Sequence, residues 1–302
     1  MPPAAVPDDL FLGSSSELTR QQLRARRFTR VSRDVYLPAP APVDLRQRAR
    51  AARLVLPGSV ACLTTAALLT KLPVDDDGLV HVARPGDAAW SVRRGVKVHR
   101  YAVRDDEIRD LAGLPVTDGP RTLADLAAYL TLEQLVAVGD VVLRRYGDAA
   151  VREALRRARG RPGVGLLKSA VPMLDARSGS PAESRVRVRL HEAGFDRLVP
   201  GVSITDEDGE WLAAPDLADK EARVALQHDG DVHFEDDDNG RAVRRRRHDA
   251  ARDDLSREQG WQVVVSTALD EHHPEGLVRR VASAYHRAAL QWGRRVLPPH
   301  LR

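Results

Sequence analysis

The sequence predicts a mixed α/β protein of the α+β kind, divided into more than one domain. Three observations carry this. The chain has 302 residues, 43% hydrophobic and 30% charged, more than one compact core needs and too apolar for global disorder. Segments of helical period, such as VDLRQRARAARLVLP at 43–57, interleave with segments of strand-like alternation, such as LVHVARPG at 79–86. A stretch rich in Ser, Gly and Pro, DARSGSPAES at 175–184, marks entry into a new compact unit. The resulting division is 1–42, 43–175 and 178–295.

Composition narrows the functional classes. No stretch approaches about 18 uninterrupted apolar residues, and MPPAAVPDDLF lacks the basic start and apolar run of a signal peptide, so the expectation is a soluble cytoplasmic protein. Cys62 is the single cysteine; it allows no internal disulfide, supplies too few thiolates for a zinc site, and reads as a small buried hydrophobe. Formal net charge is only +4, yet of 47 basic residues only Lys71, Lys97, Lys168 and Lys220 are lysine. Arginine forks suit phosphate, but an Ala- and Arg-rich chain also follows from GC-rich coding, so position has to decide.

Residues 14–38, SSSELTRQQLRARRFTRVSRDVYLP, combine a short helix capped by Ser16 or Thr19 with the hairpin-like alternation of FTRVSRDVYL. Helix followed by hairpin resembles the end of a winged helix-turn-helix. Arg20, Arg24, Arg26, Arg27, Arg30 and Arg33 lie here with no acidic residue among them, a local field suited to a DNA backbone. The middle module reads as helices at 43–57 and 60–71, strands LVHVARPG and GVKVHRYAV, then helices after Asp118. It contains no phosphate loop, nucleophile–base pair or metal spacing. His81 and His99, on strand-like alternations, read as structural.

The C-terminal part reads as a helix (PAESRVRVRLHEAGF), a strand (RLVPGVSIT), a hairpin (EWLAAPDLADKEARVALQHDG), a basic helix at 239–259 and an apolar strand (WQVVVST), giving the order αβββαβ. A last helix from Pro274 presents Leu277, Val281, Tyr285 and Leu290 as its apolar stripe. The hairpin is richer in ionisable groups than turn geometry requires. Gln227 and Asp229 share a face, Asp216 lies across the hairpin, and Glu183 opens the covering helix. Oxygen donors converging in this way suit a hard divalent cation with positions left open for a phosphate.

At these residues the sequence resembles the PD-(D/E)XK nuclease superfamily: Pro215-Asp216, then Gln227, in αβββαβ order. The tail HDGDVH resembles the very short patch repair endonuclease branch, and the match covers roughly residues 181–268. The resemblance implies a restriction-endonuclease-like domain, Mg²⁺ or Mn²⁺ as cofactor, and a site formed by Glu183, Asp216 and His233. Asp216 would ligate the metal directly, Gln227 more weakly and Glu183 through water, with His233 as general base or acid. Residues 1 to about 175 are similar, with looser motifs, to proteins that begin with the winged helix of abortive-infection type IV antitoxins. One departure matters. Gln227 stands where the pattern supplies Glu, and Asp229 where it supplies Lys. Losing a formal charge beside a dication weakens its binding unless Asp229 turns inward to replace it.

On the helix at 239–259, Arg244 and Arg245 begin a run of four arginines that suits DNA, although Asp249, Asp253 and Asp254 interleave nearby. EDDD at 235–238 reads as an acidic loop. Two functions therefore fit: a metal-dependent DNA endonuclease acting in repair, restriction or phage defence, and a non-catalytic DNA-binding regulator of antitoxin type, with a toxin or defence partner, in which the nuclease domain is degenerate.

Overall fold

The protein is described by a computed structural model over residues 9–86, 94–206, 208–229, 259–267, 269–270 and 273–302. It is a mixed α/β chain with several small sheets, in line with the fold class expected. Two compact units form it, one comprising Met1–Leu130 with Arg145–Lys168, the other Thr131–Arg144 with Ser169–Arg302.

The first unit begins with a three-stranded antiparallel sheet of β1 (Phe11–Leu12), β2 (Phe28–Ser32) and β3 (Val35–Pro38) in the order β1-β3-β2. Between β1 and β2 lies α1 (Arg20–Leu23), closed by a capping box in which Thr19 and Gln22 exchange hydrogen bonds. The segment expected to be a winged helix thus holds its hairpin. Among residues 9–42 the α-helix is α1, followed by the β2–β3 hairpin, the order read from the sequence.

Next comes α2 (Leu45–Val55), capped by the Asp44 carboxylate, which accepts the Gln47 N–H at 2.7 Å. Residues 60–71, expected as one helix, instead start as β4 (Val60–Ala61) before α3 (Leu63–Leu69). Tertiary pairing overrides propensity: Val60 and Ala61 face Ala83 and Val82 across the sheet. With β5 (Val80–Arg84), β6 (Val96–Arg100), β7 (Ile108–Asp110) and β8 (Pro115–Thr117), β4 builds a five-stranded sheet in the order β6-β5-β4-β8-β7. Ala52, Leu56, Ala66, Val82 and Val116 pack its core. Cys62 is fully buried, and burial pushes its thiol up to about 12, the inert behaviour expected of it. Asp118 caps α4 (Gly119–Leu126) as expected, accepting the Arg121 N–H at 2.8 Å.

A long helix, α5 (Leu132–Arg157), is interrupted at Gly147, whose φ of 80° and ψ of 166° are non-helical; its first turns belong to the second unit. After α6 (Val164–Ala170), the second unit continues with α7 (Pro181–Glu192), β9 (Ile204–Thr205), β10 (Trp211–Ala213), β11 (Leu217–Asp219), β12 (Val224–Asp229), β13 (Gln262–Thr267) and α8 (Pro274–Trp292). In the sheet β11-β12-β13 an antiparallel hairpin is followed by a parallel pair. The strand expected at 197–205 is cut by Pro200-Gly201, with Gly201 at φ 73°, leaving a single bridge from Val199 to Ala218 and the short β9. Pro215, which has no N–H to donate, separates β10 from β11.

Leu217, Val224, Leu226 and Val264 pack against Val186 and Leu190 of α7 and Leu277, Val281 and Tyr285 of α8. The opposite face is Ala218, Ala225, Ile204 and Trp261. Leu290, expected in the α8 stripe, is 90% exposed; five residues beyond Tyr285 it has rotated about 140° off the buried face. The basic helix at 239–259, with Arg244 and Arg245, and the acidic run at 235–238 lie outside the described residues.

Residues 175–184, expected as a linker, are tied down in the second unit. Asp140 of α5 accepts the Asp175 N–H at 2.7 Å, the Ser184 hydroxyl at 2.7 Å and the Arg187 guanidinium at 2.6 Å. Its side chain is 1% exposed and that of Arg187 10%. Asp140→Ala would leave a buried guanidinium without its counter-charge and is expected to cost about 3–5 kcal/mol, read as a lower denaturant midpoint.

Candidate functional site

Asp216 stands between Pro215 and the first residue of β11, one step beyond the Leu217–Leu226 pair of the hairpin. Its Oδ2 accepts the His228 backbone N–H at 2.5 Å. That N–H lies in the plane of the sheet, so the carboxylate is held at the strand end rather than on either face. Parallel pairing sets His228 beside the buried Ser266, and His228 Nδ1 meets Ser266 Oγ at 2.8 Å. The group sits near the carboxyl ends of the parallel strands β12 and β13, where ligands of open α/β sheets commonly bind.

Glu183 occupies the first turn of α7. Ser180 caps the helix by accepting the Glu183 N–H at 3.2 Å, and Glu183 Oε2 accepts the Gly179 N–H at 2.7 Å. One carboxylate oxygen is therefore used in holding the turn, while the charge still reaches Asp216. Burial pushes the Asp216 carboxyl up to about 6, and Glu183 adds to that rise against the opposing effect of the His228 N–H and ring.

The structure thus joins Asp216 to His228 by a hydrogen bond, with the charge of Glu183 near enough to oppose ionisation of Asp216. Gln227 lies on the Ala225 side of β12 by alternation, away from the face that α7 covers. The side chain of Asp229 and all of His233 fall outside the described residues. His228 was not among the site residues that spacing selected, because it falls in phase with the apolar positions Val224 and Leu226. Only its contact with Ser266, 38 residues onward, reveals its place.

The arginine cluster of the N-terminal segment is exposed throughout. Arg20, Arg24 and Arg30 line one concavity of about 560 Å³ with Phe28 and Tyr36, whereas Arg26, Arg27 and Arg33 do not. Phe11 supports both rings, at 5.5 Å from Phe28 and 6.0 Å from Tyr36 between centroids. Asp34, the acid there, is occupied by the Ser14 N–H at 2.9 Å and the Ser14 hydroxyl at 2.6 Å. Cations beside aromatic faces suit a nucleic-acid backbone and its bases.

The raised Asp216 carboxyl has a consequence for stability. The folded state holds its proton more tightly than the unfolded chain, so the contribution is complete below about pH 4 and disappears as pH rises through about 6. In chelator, Asp216→Asn is expected to flatten this slope and to stabilise the protein at pH 7 by about 1–2 kcal/mol, after allowance for partial exposure. Denaturant titrations at pH 4, 6 and 7.5 check it.

No family model matches the chain. Over 283 residues it is 28% identical to the uncharacterized protein Rv2248 of Mycobacterium tuberculosis strain H37Rv, the alignment covering 90% of this chain and 99% of the relative. The uncharacterized protein MT2308 of Mycobacterium tuberculosis strain CDC 1551 / Oshkosh is similar to the same extent.

Proposed function

We propose that the protein is a metal-dependent DNA endonuclease hydrolysing phosphodiester bonds, with Asp216 and Glu183 at its centre. The observation that carries this reading is the Asp216 carboxylate held at the strand end by the His228 N–H at 2.5 Å, where burial and the charge of Glu183 both oppose its ionisation. Crowded carboxylates at a strand end, destabilised in the charged form, gain most from a bound cation. The donors are oxygens, which fits Mg²⁺ or Mn²⁺. Asp216 and Glu183 would hold the ion, which when bound supplies charge stabilisation at the scissile phosphate.

The chain's own groups do the rest. The His228 N–H orients the Asp216 carboxylate, and Ser266 fixes the His228 ring so that Nε2 is its second position for holding a proton. His233 keeps the role that the nuclease resemblance assigns it. Arg20, Arg24 and Arg30 bind the DNA backbone, with Phe28 and Tyr36 beside them.

A second reading, a DNA-binding regulator of antitoxin type, is favoured by one observation: Gln227 carries no charge and alternates away from the face of α7. Incubation of supercoiled DNA with Mg²⁺, Mn²⁺ or chelator separates the two. Nicking by wild type that needs the metal and falls roughly 100-fold or more in Asp216→Ala is the expected result. Tight binding without cutting, by wild type and by Gln227→Glu alike, would leave the regulator.

The binding surface has its own test. Arg24→Glu with Arg30→Glu is expected to weaken DNA binding and to lower the slope of log K against log salt by about 2, one unit for each lost phosphate contact. An unchanged slope would remove these arginines from the interface.

A further inference from the structure

A second cavity, in the first unit, has no part in the nuclease or DNA-binding reading. It measures about 290 Å³; His99, Tyr101 and Tyr129 line it together with Arg161, Asp125 and a largely apolar remainder that includes Leu63. This is near the lower end of the range for small-molecule sites. The walls are rigid. Tyr101 donates to Asp125 Oδ2 at 3.0 Å, and the Arg121 guanidinium lies 4.9 Å from the centre of the Tyr101 ring while donating to both Asp125 oxygens at 2.9 Å. The side chains of Arg121 and Asp125 are 3% and 7% exposed.

Three features of the wall specify a ligand. The first is a set of aromatic faces: the His99 ring lies 6.2 Å from Tyr101 and 6.4 Å from Tyr129, and Tyr129 is 59% exposed, so its ring is open to a ligand. The second is a loosely held cation: Arg121 is paired with both Glu107 and Asp125, and Arg161 pairs with Asp125 only at 3.6 Å, beyond hydrogen-bond distance, with its side chain 32% exposed.

The third is a hydrogen-bond relay. Asp77 Oδ2 meets His81 Nε2 at 2.7 Å, and His81 Nδ1 meets His99 Nε2 at 2.9 Å. Asp77 accepts from His81 Nε2–H, and the proton between His81 and His99 decides whether His99 Nδ1 offers a lone pair or an N–H. Burial, with His81 and Lys97, pushes the His99 pKa down to about 4, so the ring is neutral near pH 7.

We propose that this cavity is a binding site for a single nucleotide unit, its planar base lying among His99, Tyr101 and Tyr129 with a polar edge hydrogen-bonded to His99 Nδ1, and its phosphate meeting Arg161. A phosphate can meet Arg161 more closely than Asp125 does, whereas inorganic phosphate alone would leave the rings exposed to water.

Calorimetry on the full chain with AMP, GMP, CMP and UMP tests this, with adenosine and inorganic phosphate as controls. At least one monophosphate is expected to bind with a Kd on the order of 10–100 μM, and each control roughly tenfold or more weakly. Tyr129→Ala and Arg161→Gln, both at solvent-accessible positions, should each weaken the monophosphate by roughly tenfold while leaving DNA affinity unchanged, which distinguishes this site from the arginine surface. Competition by a 5′-phosphorylated trinucleotide would identify a DNA end as the source of the nucleotide, and its absence a free nucleotide. Absence of saturable binding by all four monophosphates, or affinities unaffected by both substitutions, would overturn the proposal.

Discussion

The second unit depends on the buried carboxylate of Asp140. It gathers the Asp175 N–H, the Ser184 hydroxyl and the Arg187 guanidinium, and so ties α5, the turn at 175–180 and α7 to one point. A charge buried in this way is tolerable only when every lone pair finds a donor, and the arrangement is specific because few geometries achieve that. Its consequence reaches the candidate site directly. α7 is held so that its first turn, carrying Glu183, approaches Asp216 closely enough to disturb its ionisation.

In the first unit an arginine has the central role. Arg121 of α4 is paired at once with Asp125 and with Glu107, both buried, and it lies against Tyr101. Arginines in this chain thus fall into physically different groups. Arg121 and Arg187 are interior cations that hold helices in place, Arg152 and Arg156 pair on an exposed helix surface where such pairs contribute little, and Arg20, Arg24 and Arg30 gather around a concavity. An Arg-rich composition reports none of this by itself.

Much of the fold was legible in local chemistry. The alternation of LVHVAR and VKVHR became β5 and β6, Asp118 became the cap it resembled, and the β11–β12 hairpin turned beside Asp219. Where reading failed, a long-range partner was the reason. Val60 and Ala61 became a strand because β5 was there to pair with. Asp219 serves the turn, accepting the Ala222 N–H at 3.0 Å, but it is also buried and accepts from Tyr285 at 2.8 Å across 66 residues, which no local signal shows. The candidate site shows the same limit: Asp216 and Glu183 were visible as donors, whereas His228 was hidden among the apolar positions of its strand.

By itself the sequence determined the class of elements, their approximate order, the concentration of arginine near the N-terminus and the carboxylates of the hairpin, because periodicity, caps and turn residues act over only a few positions. Tertiary structure alone decided which of the other groups meet: His228 with Ser266, the Asp77–His81–His99 relay with its cavity, and three of six arginines on one concave face. Such meetings are set by strand register and helix packing between residues far apart in the chain, and a single sequence carries no local signal for them.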